Sequence, residues 1–339
     1  MKADTLPRPW GVSVAAGLAV GLPLMVAAFY GELALGALGA MGALVILHIP
    51  PSASSAPVRR LVGCAAGVAV SPALGQFVTA WPLLTLPLFG LLIAAIVALT
   101  RASSLPPPGH TFFILGACSG AAEGFHPTLI PYVLAAPAAG AAGAVAIGLI
   151  ARTLWAGQTA PGKPAPATAR PAPTARAVGI EALVFGFFAM LSLAIAQGLG
   201  LDRPYWVPIS CVAVMRGISL QAVLNRNIQR VGGTLIGVVL TLFLLVSHPS
   251  PAMVIGILML LVMSVHRTMG QNYAVTVLLA TPASLMLTEL ASLDSLPDLD
   301  LLITRVQDIA LGSVIGVFGG AVLHGSRPRP AAHGVDSRG

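Results

Sequence analysis

Apolar residues occur along this chain in long unbroken runs, separated by short polar, glycine- or proline-rich stretches. Twelve runs stand out, at about 11–29, 33–49, 60–78, 81–99, 110–123, 128–154, 179–199, 204–217, 228–247, 251–265, 271–290 and 305–324. A run of roughly 17–25 apolar residues forms a helix long enough to span the bilayer core with its backbone hydrogen bonds closed internally. The pattern therefore predicts an all-α polytopic membrane protein with about twelve transmembrane helices. Runs 110–123 and 204–217 are brief and lie beside prolines or glycines, so whether they cross completely stays open. The first run follows a short basic tail, as a signal peptide would. It is longer than a typical signal-peptide core and a second run follows at once, so it reads as a retained helix.

Composition agrees with the runs. The 339 residues are 56% hydrophobic and 9% charged, where a soluble domain carries about 25% charged residues. The charges also sort by loop. With the N-terminus in the cytoplasm, twelve spans place sixteen of the eighteen basic residues on that side, leaving only Arg203 and Arg305 outside. Acids such as Glu32, Glu123, Asp202, Glu289, Asp294, Asp298 and Asp300 lie in or beside outer loops. A Lys/Arg bias in short loops sets orientation, so both termini are expected inside. The net charge of +7 is spread thinly, without a basic stripe or aromatic interleaving. Anionic lipid headgroups account for it, and a nucleic-acid partner is not expected. Cys64, Cys118 and Cys211 all fall within apolar runs and lack metal spacing, which suits buried small side chains.

Between Trp155 and Val178 the sequence alternates proline and alanine without apolar periodicity, as an extended tether does. It divides a first six-helix half (1–154) from a second (179–325), with 155–178 as a cytoplasmic linker and 326–339 as a cytoplasmic tail. Six spans per half return the chain to the same side, so the halves are expected to be parallel repeats about an axis normal to the membrane. A short motif supports this: Arg230-Val-Gly-Gly-Thr-Leu-Ile-Gly237 matches Arg60-Leu-Val-Gly-Cys-Ala-Ala-Gly67 at an offset of 170. Positions i, i+3, i+4 and i+7 share a helix face, so each copy sets an arginine at the foot of a small-residue stripe. Gly63/Gly67, Gly233/Gly237 and Gly312/Gly316 are spaced for close helix packing. That packing can join the two halves or separate copies, so a homo-oligomer stays open. Pro23, Pro72, Pro87, Pro131, Pro208 and Pro282 are expected to kink or break helices.

The run Tyr205–Gly237 has a Tyr-Trp pair, a short apolar span, an amide- and arginine-rich stretch, and then Arg230-x-x-Gly233-Thr234-x-x-Gly237. It resembles the fusaric acid resistance protein-like family, also called the aromatic acid exporter family. The final span, from Arg305-Val-Gln-Asp308 into Gly312-x-x-x-Gly316, resembles that family's last helix. The resemblance covers about 179–324 well and the first half weakly, where Cys64 stands in place of the threonine. It implies an inner-membrane efflux protein for aromatic carboxylates or related organic anions. Plant aluminium-activated malate transporters are distantly similar in helix arrangement, which keeps a passive anion channel in view. Many family members carry a sizeable cytoplasmic domain after each half; here only the tether and the tail stand in those places.

Each candidate residue has a plain reading beside its functional one. Arg230 and Arg60 can anchor helix ends in headgroups, or grip a substrate carboxylate bidentately. Arg216 and Arg226 border the same inner vestibule, as loop charges or as a funnel for anions. Thr234, beside Gly233, can bond its own i−4 carbonyl or face substrate. Tyr205 and Trp206 suit an aromatic belt or a stacking surface. Asp308 can pair with Arg305 or relay a proton; Glu181 can favour a helix N-terminus or do the same. No nucleophile–base set, phosphate loop, metal pair or dinucleotide pattern appears in the sequence, so no enzyme activity and no cofactor are expected. The expected function is secondary-active, proton-linked export of aromatic or other organic carboxylates. A passive organic-anion channel and a non-transporting membrane assembly component are the alternatives.

Overall fold

The computed structural model describes residues 8–49, 58–105, 108–155, 174–217, 219–246, 249–289 and 299–325. Most of the Pro/Ala linker, the tail and the acids Asp294 and Asp298 lie outside the described residues. Among the described residues twelve α-helices follow one another, each on one of the twelve apolar runs. They are α1 (Trp10–Tyr30), α2 (Leu33–Ala43), α3 (Val58–Val78), α4 (Thr85–Ala102), α5 (Thr111–Glu123) and α6 (Ile130–Leu154). The second set comprises α7 (Ala175–Gly198), α8 (Trp206–Met215), α9 (Leu220–Val246), α10 (Pro251–Thr268), α11 (Tyr273–Glu289) and α12 (Leu299–Gly325). No strand occurs among the described residues.

Their ends follow local chemistry. Thr174 caps α7 by accepting from the Ala177 amide at 3.3 Å, and Ser250 caps α10 by accepting from Met253 at 3.4 Å, with Pro251 at the first helical position. Gly31 ends α1 with φ 77°, a left-handed turn that glycine adopts without strain, and α2 starts two residues later. The prolines divide into two groups. Pro23, Pro72 and Pro282 sit inside helices. Pro87, Pro131 and Pro208 instead occupy the first turns of α4, α6 and α8, where a missing N–H costs nothing.

Among the described residues, eight helices are long and apolar enough to cross a membrane; the apolar segments Leu33–His48, Thr111–Glu123, Trp206–Met215 and Tyr273–Leu287 are shorter. The expectation of short spans at 110–123 and 204–217 thus extends to α2 and α11. The four short helices are the second and fifth of each set of six. At 1.5 Å per residue, the ten residues of α8 rise only about 15 Å, half the hydrocarbon thickness.

Packing repeats between the two sets. α2 packs on α6 as α8 does on α12, α3 on α5 as α9 on α11, and α3 on α6 as α9 on α12. The sets meet along two long seams, α4 with α7 and α10 with α1, and more briefly where α5 touches α8. The match reaches single residues. A Cβ on Gly17 would stand 2.6 Å from the Met259 carbonyl, and one on Gly186 would stand 2.4 Å from the Gly90 carbonyl. Gly17 and Gly186, like Gly90 and Met259, are 169 positions apart. Likewise a Cβ on Gly140 would run into the Gly39 carbonyl of α2, as one on Gly312 would into the Val207 carbonyl of α8. The small-residue stripes are less alike. Gly233 and Gly237 pack on α11, and Gly312 and Gly316 on α8, but nothing lies within 4 Å of a Cβ on Gly63. In the first copy, the stripe faces outward at that end.

Candidate functional site

Ionisable and hydroxyl side chains gather where α8, α9, α11 and α12 meet. Arg230, ten residues into α9, donates through Nη2 to Ser210 Oγ on α8 at 3.0 Å and through Nη1 to the Tyr273 hydroxyl on α11 at 3.4 Å. One turn earlier on α9, Arg226 donates from Nε to the Ala213 carbonyl at 3.2 Å and lies 4.0 Å over the Tyr273 ring. From α12, Arg305 lies 3.6 Å over the Trp206 ring and donates to Ser284 Oγ at 3.1 Å.

Taken together, these contacts form a ladder. Ala213, Ser210 and Trp206 are successive rungs of α8, and each holds one guanidinium. At 1.5 Å per residue the rungs are about 4.5 and 6 Å apart. Every partner is neutral: a carbonyl, hydroxyls and aromatic faces. None of the three arginines forms an ion pair among the described residues, whereas Arg101 and Glu181 pair at 2.7 Å. A lone arginine at mid-bilayer costs at least about 2.5–3.5 kcal/mol. Donation to hydroxyl and carbonyl oxygens and cation–π contact offset part of that cost without neutralising the charge.

The sequence-predicted residues divide around this ladder. Arg230 and Trp206 are part of it, but Trp206 serves by stacking under Arg305, so that ring face is not open to a substrate. Tyr205 packs edge-on against Phe89 of α4, with ring centroids 5.9 Å apart, across the seam between the sets. Gly233 supplies closeness: a Cβ there would stand 2.7 Å from the Ala274 carbonyl. Thr234 departs from its plain reading. It is 2% exposed and its hydroxyl has no partner, whereas Thr241 on the same helix bonds its i−4 carbonyl at 2.8 Å. Arg216, at the end of α8, donates to the Thr111 hydroxyl on α5 and so ties the two sets together.

Arg60 is not brought to the ladder, and it makes no hydrogen bond or ion pair among the described residues. The arginines of the ladder therefore all come from the second set. Glu181 pairs with Arg101 at the α4–α7 seam and touches none of the ladder residues. Arg305 is not an outer-loop residue: it lies in the second turn of α12 and is 8% exposed. Of the two readings offered for Asp308, the pair with Arg305 does not form, because Arg305 is turned onto Trp206 and Ser284. Asp308 is 1% exposed and neither carboxylate oxygen has a partner.

Ser210, Tyr273 and Ser284 complete the site without having been singled out in the sequence, and Arg305 was read there only as an outer charge and a possible partner of Asp308. Ser210 and Ser284 are lone hydroxyls in apolar runs, and only the neighbouring helices give them a role. Tyr273 opens α11 directly after Gln271-Asn272, where a belt tyrosine is equally ordinary. Arg305 was hidden by the count of loop charges.

Comparison with known proteins bears on this same region. Residues 189–319 match the family described as fusaric acid resistance protein-like. A Bacillus subtilis (strain 168) protein, "Uncharacterized membrane protein YvaC", is 33% identical over 144 residues. That alignment covers 42% of this chain and 23% of the relative's length. No solved structure matches the chain. All three rungs of α8 and the arginines that they hold fall inside 189–319. Across those residues, this multi-pass membrane protein is similar to the fusaric acid resistance protein-like family, the resemblance that the Arg-x-x-Gly-Thr motif led us to expect.

Proposed function

We propose that this chain is a secondary transporter that carries organic carboxylates, aromatic acids among them, outward across the inner membrane, with proton movement linked through α12. In this reading both termini are cytoplasmic. Arg226 then marks the inner mouth of the path, Arg230 its middle and Arg305 its outer part. The observation that carries the proposal is the ladder of three guanidiniums, from α9 and α12, lined up along the short helix α8, held by neutral groups and free of ion pairs among the described residues. A guanidinium grips a carboxylate through two parallel charge-assisted bonds. Spacing of about 5 Å lets one carboxylate pass between neighbouring rungs without entering bare hydrocarbon, and several moderate sites release an ion better than one deep site. The unpartnered Thr234 hydroxyl, one turn from Arg230, adds a donor along the same path. Likeness to the fusaric acid resistance family supports transport over catalysis and supports outward movement of aromatic acids.

Flux of a labelled aromatic carboxylate in proteoliposomes tests the proposal. Arg230→Gln removes the middle rung and, with it, hydrogen bonds to charge worth about 1.5–3 kcal/mol. Flux should drop at least about tenfold at unchanged protein level. Normal flux in Arg230→Gln refutes the ladder, and flux that follows voltage while ignoring a pH gradient makes the protein a passive channel. A wild-type protein that moves none of a panel of aromatic and aliphatic carboxylates favours the assembly role.

A further inference from the structure

The ladder uses Arg305 but leaves its neighbour unexplained. Asp308 lies one turn further along α12, 1% exposed, with both carboxylate oxygens buried and unpartnered. The Arg305 Nε is buried without a partner too. Helix positions i and i+3 are neighbours, and arginine can reach aspartate there. These two orphan groups would satisfy one another, yet Arg305 is committed to Trp206 at 3.6 Å and to Ser284 at 3.1 Å. An ionised carboxylate left in such a place without a partner costs several kcal/mol, and a neutral carboxyl far less.

The other groups facing this pair come from each element packed on α12. Arg203 and Asp202, in the loop leading into α8, act on Asp308 electrostatically. Arg230 of α9 acts on Arg305. From α11 comes the Ser284 hydroxyl. The ionisable residues of α7, Arg176 and Glu181, lie near its N-terminus, whereas Asp202 follows its C-terminus. Arg305 is thus the cation that shares a helix face with Asp308, and its orientation decides whether that carboxyl has a counter-charge.

We propose that Arg305 and Asp308 form a switch that loads a proton and an organic carboxylate together. With Asp308 protonated, Arg305 is released from it and can take the substrate carboxylate. When Asp308 gives up its proton, the carboxylate draws Arg305 one turn along α12 and displaces the bound anion. The proton enters from water on the loading side and leaves to water on the release side; only the Asp308 O–H bond forms and breaks. This rests on the transport reading above and fixes its coupling: the proton accompanies the anion and is not exchanged for it. Export then discharges an acid, carboxylate plus proton, down its own gradient.

The test uses purified protein in proteoliposomes with the membrane potential clamped by equal potassium and valinomycin. A one-unit pH difference is imposed, and the probe is labelled 4-sulfobenzoate, whose sulfonate prevents leakage as a neutral acid. One proton per anion predicts accumulation in the alkaline compartment approaching about tenfold. Accumulation in the acidic compartment, or equal concentrations despite rapid flux, overturns the switch while leaving transport intact. Absence of any flux for this and other carboxylates sinks the transport reading and the switch with it. Asp308→Asn should turn accumulation into equilibration, and Asp308→Glu should restore accumulation; tenfold accumulation by Asp308→Asn overturns the assignment to this residue. A measurement that needs no variant is pH change in weakly buffered detergent solution. Adding 4-sulfobenzoate to wild-type protein should take up protons, and proton release overturns the proposal.

Discussion

Gly312→Ala tests whether the closeness of α8 and α12 builds the ladder. A Cβ at this position would stand 2.3 Å from the Val207 carbonyl oxygen and 2.7 Å from Ser210 Cβ. Ordinary carbon contacts begin near 3.5 Å, so the helices must part by about 1 Å. Overpacking on that scale costs about 1–3 kcal/mol. Alanine returns up to about 1 kcal/mol of helix propensity, which leaves a net loss of up to about 2 kcal/mol. Gly63→Ala is the matched control, because nothing lies within 4 Å of its Cβ and only the propensity gain applies. The difference between the two variants isolates the packing cost, about 1–3 kcal/mol. The same shift separates Arg305, on α12, from the Trp206 ring on α8, now 3.6 Å away. Flux should fall along with stability. Reversible unfolding in mixed detergent micelles, followed by circular dichroism, measures the first; proteoliposome flux measures the second. Gly312→Ala as stable as Gly63→Ala would mean that the crossing has slack, and the packing argument would be wrong.

Thr234→Val replaces a buried hydroxyl that has no partner, so stability should hold or rise slightly while flux falls; unchanged flux assigns Thr234 to packing alone. Glu181→Gln breaks a pair whose side chains are 25% and 49% exposed. Unfolding should shift by less than about 1 kcal/mol, and flux with its pH response should persist; a lost pH response would move the coupling residue to α7. Arg216→Ala and Thr111→Val, measured singly and together, should couple strongly in unfolding, since their bond joins α5 to α8. Additive effects would show that the bond does not hold the two sets together.

Periodicity was a good guide to the helices because lipid imposes a simple rule: backbone polar groups must be closed within each segment. Long apolar runs had no other solution, and each run carries a helix. The site was far less legible. Arg230 was marked by its motif, but its partners Ser210 and Tyr273 lie 20 and 43 residues away, and nothing local connects them. Arg60 shared that motif yet stands apart, because a repeated sequence preserves a helix and its foot without preserving the neighbours. Counting charges by loop sent Arg305 outside, since such a count treats any arginine near a span end as loop charge. An aromatic face and a hydroxyl supplied by other helices make its burial tolerable.

From its sequence alone, this protein was committed to a bundle of twelve apolar helices in two sets of six, with a second set resembling fusaric acid resistance proteins. These properties follow from run length, loop charge and local motif, which act within a few turns of chain. Tertiary structure decided the rest. It added α2 and α11 to the short helices already legible at α5 and α8, brought three arginines onto successive rungs of α8, and left Asp308 unpaired with Arg305. The physical reason is that a guanidinium in an apolar bundle goes wherever neighbouring helices offer hydroxyls, carbonyls and ring faces. The close glycine crossings set those positions, and they exist only once the helices have packed.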